Sequence, residues 1–238
     1  MSVSGNHVQA KQLAGAQAAD LVQDGMVIGL GTGSTALWTI RRLGERVRRE
    51  GLRVTAVPTS ENTRTLAAGE GIALTTLEDT QELDLAIDGA DEMDPAGHLI
   101  KGGGGALLRE KLVASAAREF VVVADASKQV AVLGRYPLPV EVTPFAWALT
   151  ARRVTATGCA WRLRKQGDQP FVTDNGNYIL DCEYGSIASP ADLHTRLKLL
   201  PGVVETGLFI GMAATAVISD GVNIRRIRFK AVPLKGMG

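Results

Sequence analysis

Three carboxylates, Asp88, Asp91 and Glu92, precede Lys101, a run of four glycines at 102–105 and a helix-forming segment carrying Arg109, Glu110 and Lys111. Carboxylates move protons, and two held close together drive one pKa towards neutrality, which suits general acid–base work. A lysine supplies positive charge where an oxyanion develops. Glycines ahead of a helix let backbone N–H groups converge on an anion, because no Cβ blocks the approach. Together these residue types point to proton transfer on a small anionic substrate. Asp88 and Asp91, separated by Gly89 and Ala90, are expected to face one pocket from a bent segment. Glu110 falls in the first turns of its helix, where the dipole keeps a base ionised. The competing readings are structural: the aspartates as turn or cap residues, and Glu110 as a solvated partner of Arg109 or Lys111.

A second loop, Gly31-Thr32-Gly33-Ser34-Thr35-Ala36, fits a G-x-G-x-x-A pattern between an apolar strand and a helix. A dinucleotide site also needs an acid at the tip of the following strand, and Val57-Pro58-Thr59-Ser60 has none. No lysine precedes Ser34, which excludes a Walker loop. Backbone amides, hydroxyls and a helix dipole around a single phosphate fit better. Lys101 and Lys128 are placed to hold phosphate or an oxyanion. Lys11 lies on the first helix, where a surface lysine is the default. His7, His98 and His194 lack partners at metal-ligand spacing, so no metal site is assigned.

These loops need a scaffold, and the apolar pattern supplies one. Helices are predicted over 8–23, 36–50 and 61–68, and strands over 26–30, 52–57, 72–74, 83–87 and 120–124. Strands alternating with helices imply right-handed crossovers and a parallel sheet, with ligands at the strands' carboxyl ends. From 138 the order becomes β-α-β-β-α-β, with Asn175-Gly176 as a hairpin signal. The expected fold is α/β: a Rossmann-like parallel-sheet domain, 1–132 plus 207–238, with an inserted ferredoxin-like α+β domain, 133–206.

The 238 residues carry a formal net charge of +1, which argues against a nucleic-acid surface. No apolar run approaches the ~20 residues of a membrane helix. The first residues lack the basic start and apolar core of a secretion signal. Cys159 and Cys182 are too few for a disulfide framework. The reading is a cytoplasmic enzyme with neither nucleic-acid nor membrane partners.

The segments GTGSTA at 31–36, DGADE at 88–92, KGGGGALLREK at 101–111 and ADASKQV at 124–130 resemble the ribose-5-phosphate isomerase type A family. PLPVEV at 137–142, VTDNGNYILD at 172–181 and LPGVVETGLF at 200–209 extend the likeness over essentially the whole chain. The resemblance implies interconversion of D-ribose 5-phosphate and D-ribulose 5-phosphate, in the non-oxidative branch of the pentose phosphate pathway. It also implies no metal or organic cofactor, and a homodimer or homotetramer. Carried over by position, Glu110 matches the proton acceptor. Thr32, Gly33, Ser34, Thr35, Asp88, Gly89, Ala90, Asp91, Lys101, Gly102, Gly103, Gly104 and Lys128 match substrate-binding segments, and Lys11 matches a first-helix lysine near the site. The chemistry then expected is ring opening by Asp88 or Asp91, with Lys101 stabilising the oxyanion. Two rivals remain at this stage: a sugar-phosphate-sensing domain of a transcriptional regulator and a dinucleotide-dependent oxidoreductase.

Overall fold

The computed structural model describes residues 3–230. Within them the chain forms two compact units, one of 3–90, 109–128 and 211–230, the other of 91–108 and 129–210. The boundaries differ from those read in the sequence, which assigned 91–108 to the first domain. That segment is tied into the second unit by antiparallel pairing: Glu92–Met93 pairs with Leu99–Ile100, which pairs with Leu208–Phe209.

The first unit is built on a seven-stranded sheet. In chain order its strands are Val27–Leu30, Thr55–Pro58, Ala73–Leu74, Leu85–Gly89, Phe120–Asp125, Thr215–Ser219 and Ile224–Arg228. They lie side by side as seventh, sixth, fifth, fourth, first, second, third. All neighbours are parallel except the seventh strand, which closes one edge antiparallel. This is the doubly wound order, and it reverses direction between the first and fourth strands, where such sheets bind ligands. Phe120–Asp125 and Thr215–Ser219 are buried at every position, as strands covered on both faces must be.

Helices α1 (Val3–Ala19), α2 (Ala36–Glu50), α3 (Glu61–Gly69) and α4 (Leu107–Ala116) accompany this sheet, α4 belonging to the unit from Arg109 onward. Buried Ala10, Ala14, Ala18 and Ala19 give α1 a face of small side chains. It approaches α2 so closely that a Cβ on Gly15 would lie 2.8 Å from Trp38 Cβ. The prediction carried α1 to residue 23. It stops at Ala19 because Arg46 Nη1 donates to the carbonyls of Ala19 (2.7 Å) and Val22 (2.8 Å), satisfying the helix end from another element. Ile28, Leu30, Ile40, Leu43, Ile87, Val121 and Val217 form the core, each such side chain contributing roughly 1.5–3 kcal/mol on burial.

The second unit places Leu138–Val142, α5 (Trp147–Thr155), Ala160–Leu163, Tyr178–Glu183, α6 (Pro190–Lys198) and Val203–Thr206 in the predicted β-α-β-β-α-β order. The four strands are antiparallel and ordered fourth, first, third, second, the ferredoxin-like arrangement. Leu138, Val140, Val142, Leu180 and Cys182 share one core with Ala151, Val154, Leu193 and Leu197 from the helices. The turn signal at Asn175-Gly176 lies in a loop ahead of the strand Tyr178–Glu183. Residues 173–177 form a tight loop, with Gly176 N–H on the Thr173 carbonyl at 2.8 Å. Thr173 Oγ1 and Asn177 Nδ2 donate to Oε1 of buried Glu141, at 3.0 and 2.9 Å, and this holds the loop off the ladder. The short hairpin instead pairs Lys165–Gln166 with Gln169–Pro170. Among the described residues no helix is long and apolar enough to cross a membrane.

Candidate active site

The reversal of strand order puts the ends of Val27–Leu30 and Leu85–Gly89 side by side, and both carry loop residues singled out by their chemistry. Leu30 pairs with Ile87, and Gly31 N–H continues the ladder to the Ile87 carbonyl at 2.9 Å. Residue 31 therefore lies against Asp88, a residue only 3 % exposed. Asp88 Oδ1 accepts the N–H groups of Thr32 (3.1 Å) and Gly89 (2.7 Å).

The Thr32 hydroxyl turns towards α3. It donates to Ser60 Oγ at 2.8 Å and lies 2.8 Å from Thr59 Oγ1. Ser60 caps α3 by accepting Thr63 N–H at 3.1 Å, and Thr63 Oγ1 donates to the Gly31 carbonyl at 2.9 Å. Thr32 thus shapes the loop with its hydroxyl and fixes Asp88 with its amide. Thr59, Ser60 and Thr63 were not selected from the sequence. Their signal was a Ser cap at the tip of a strand already expected on the ligand-binding rim.

Gly33 and Ser34 are exposed and Thr35 is buried just ahead of α2, so this loop presents its amides and hydroxyls at the start of a 15-residue helix. Lys11 Nζ comes from α1 to within 3.0 Å of Ser34 Oγ, placing the first-helix lysine on the candidate phosphate loop. Lys128 ends the short 3-10 turn Ala126–Lys128 that follows Phe120–Asp125. That turn is held by buried Asp125, which accepts the Ser127 N–H at 3.0 Å and the Ser127 hydroxyl, with His7 Nδ1 at 3.5 Å. Burial pushes the Asp125 carboxyl up, but the Ser127 bonds, Lys128 and His7 together hold it below the usual carboxylate range. Glu110, in the first turn of α4, is only 3 % exposed, unlike a solvated surface glutamate. Arg109 Nη1 reaches Glu61 at 2.8 Å.

In the second unit, Lys101 is 2 % exposed, and its ammonium lies 5.4 Å from the centroid of the Phe209 ring. Its own N–H donates to the Gly207 carbonyl at 2.9 Å. Asp91 Oδ2 accepts Gly103 N–H at 2.7 Å. A Cβ at residue 103 would come within 2.6 Å of Tyr136 Oη and 2.7 Å of Asp91 Oδ1, so a larger residue would have to displace these groups. Burial, with Asp91 nearby, pushes the Tyr136 hydroxyl up. Gly102 is buried and Gly104 is exposed. Gly89 and Ala90 complete the first unit's share of the acidic segment.

Asp88 and Asp91 bind different backbone segments, Thr32 and Gly89 for the first and Gly103 for the second. Glu92, grouped with them from its type, is buried and accepts the N–H groups of Gly134 and Tyr136, both at 2.7 Å. It fixes a loop and is not a site acid. Among the described residues no three His, Cys, Asp or Glu side chains gather as a metal site.

In the first unit, a doubly wound sheet with an amide-rich loop and a buried aspartate at its switch point is the arrangement of an α/β protein that binds small anions. The profile of the Ribose 5-phosphate isomerase A (phosphoriboisomerase A) family matches residues 55–222. The chain is 54 % identical over 216 residues to the ribose-5-phosphate isomerase A of Bacillus mycoides, covering 90 % of this chain and 97 % of the relative. The ribose 5-phosphate isomerase structure from Plasmodium falciparum superposes with a TM-score of 0.89 at 38 % identity, covering 92 % of this chain and 98 % of that one. A D-ribose-5-phosphate isomerase in complex with phospho-erythronic acid gives 0.90 at 36 % identity, over 96 % and 100 %. The chain belongs to the ribose 5-phosphate isomerase A family. It is an isomerase that interconverts ribose 5-phosphate and ribulose 5-phosphate.

Proposed function

We propose that Glu110 removes the C2 proton of open-chain ribose 5-phosphate and returns it to C1 through a cis-enediolate. One carboxylate reaches both carbons because they are adjacent. What supports this reading most is the burial of two side chains with no place in an apolar core, Glu110 at 3 % and Lys101 at 2 % exposure. Lys101 and the amides of Gly102, Gly103 and Gly104 are assigned the oxyanion on O1 or O2. Ser34 and Thr35, with Gly33 leaving room for the anion at the start of α2, are assigned the phosphate together with Lys11 and Lys128. Fixing the phosphate positions C1 and C2. Asp88 or Asp91 would open the furanose by taking the O1 proton and protonating the ring oxygen. Phospho-erythronic acid, bound by a relative, carries a carboxylate that resembles an enediolate in charge.

The chemistry is proposed to need no metal or organic cofactor and to run in the cytoplasm as a step of the non-oxidative pentose phosphate pathway. A homodimer or homotetramer is proposed as well, and the exposure of Phe145 (90 %) and Leu199 (77 %) in the second unit gives such an assembly apolar surface. Formation of ribulose 5-phosphate from ribose 5-phosphate, assayed without added cofactor and again after EDTA treatment, tests the reading. Turnover in both conditions is expected, and loss on chelation would overturn the metal-free mechanism.

A further inference from the structure

The glycine run is held by side chains far along the chain. Arg164 follows the strand Ala160–Leu163, and the ladder fixes its backbone: its N–H binds the Ile179 carbonyl at 2.8 Å, and its carbonyl accepts Phe171 N–H at 2.9 Å. Its side chain is 14 % exposed and forked between a carboxylate and two backbone carbonyls. Nε donates to Asp181 Oδ2 at 3.0 Å, and Nη2 binds Oδ1 of the same carboxylate. Nη1 donates to the carbonyls of Gly102 (2.8 Å) and Gly103 (3.2 Å). Phe171 reinforces the grip, since a Cβ on Gly105 would lie 2.5 Å from its Cζ.

The peptide between residues 102 and 103 is therefore pinned at both ends, its carbonyl by Arg164 and its N–H by Asp91. In a trans peptide the carbonyl and N–H point in opposite directions. With the Gly103 carbonyl drawn to Arg164, the N–H of exposed Gly104 is turned the other way. We propose that Arg164, oriented by Asp181, is a positioning residue that sets the peptide planes of the glycine run and presents the Gly104 N–H to the developing oxyanion. This rests on the assignment of the run to the oxyanion. Lysine is no substitute, because a point charge cannot bridge two carbonyls while holding both oxygens of a carboxylate.

The test compares wild type with Arg164→Gln, Arg164→Lys and Asp181→Asn. A misplaced donor should lower kcat by about 100-fold in both Arg164 variants. KM for ribose 5-phosphate should change little, because the phosphate is held elsewhere. Affinity for phospho-erythronic acid should fall in parallel with kcat. Asp181→Asn, which keeps the guanidinium but loosens it, should show a smaller loss of the same kind. It carries the test if Arg164→Gln fails to fold. A near-normal kcat, or a loss confined to KM, overturns the proposal. Hydrogen exchange separates this outcome from failure of the isomerase reading. The 102–105 amides should exchange faster in Arg164→Gln whether or not the wild type turns over ribose 5-phosphate, and unchanged exchange overturns the positioning role.

Discussion

A Cβ on residue 31 would lie 2.0 Å from Asp88 Oδ1, so Gly31 is glycine because Asp88 occupies the space beside it. Gly31→Ala is expected to displace that carboxylate, costing about 1–3 kcal/mol as overpacking does. The loss of activity should exceed what reduced folding explains. Thermal unfolding and kcat measured on the same sample check this, and an alanine variant with normal kcat would show that Asp88 can move without consequence.

Glu110→Gln keeps the shape of the side chain and removes its basicity. Turnover should drop roughly 10²–10⁴-fold, the usual contribution of a general base. Phospho-erythronic acid should still bind, as calorimetry would show. Near-normal turnover would require another base.

The contact between Lys11 and Ser34 makes a prediction of a different kind. Lys11→Ala should weaken the hold on phosphate in ground and transition states alike, raising KM by roughly 10–100-fold with a smaller effect on kcat. Inorganic phosphate should inhibit the variant correspondingly less. A kcat effect without a KM effect would move Lys11 from the phosphate to the reacting carbons.

Asp125 predicts a pH dependence of stability. Its folded pKa lies below the usual value of 3.8, so its contribution is present above that pH and is lost as pH falls through the folded value. Asp125→Asn should therefore unfold at a lower temperature than wild type near pH 6, with the gap closing below about pH 4. A gap that widened on acidification would contradict the hydrogen-bond assignment at Ser127.

Much of this was legible in the sequence, because strand–loop–helix alternation is a local pattern. It located the loop at 31–36, the acids at 88–91 and the glycine run at the ends of elements that do form. The β-α-β-β-α-β order of the second unit was readable for the same reason. What could not be read were pairings between distant positions. Nothing local says that the Thr32 hydroxyl will find Thr59 and Ser60, or that Glu92 will serve the backbone at 134 and 136. Nor does anything local mark Arg164, whose partners Gly102 and Gly103 lie 62 and 61 residues away. The Asn175-Gly176 turn was visible, but buried Glu141 decides that it belongs to a loop.

The hydroxyls behind the loop at 31–36 have only one proton each to give, and this sets a direction. Thr63 donates to the Gly31 carbonyl, which can only accept, so towards Ser60 and Thr32, each at 3.1 Å, it can only receive. Ser60 then receives from Thr32, and Thr32 from Thr59. The bonds form a one-way relay whose sense is dictated by a single carbonyl at its end. Replacing Thr63 with valine would thus do more than delete a contact. It would free the upstream hydroxyls to turn round, and the loop would gain proton arrangements that the carbonyl now forbids.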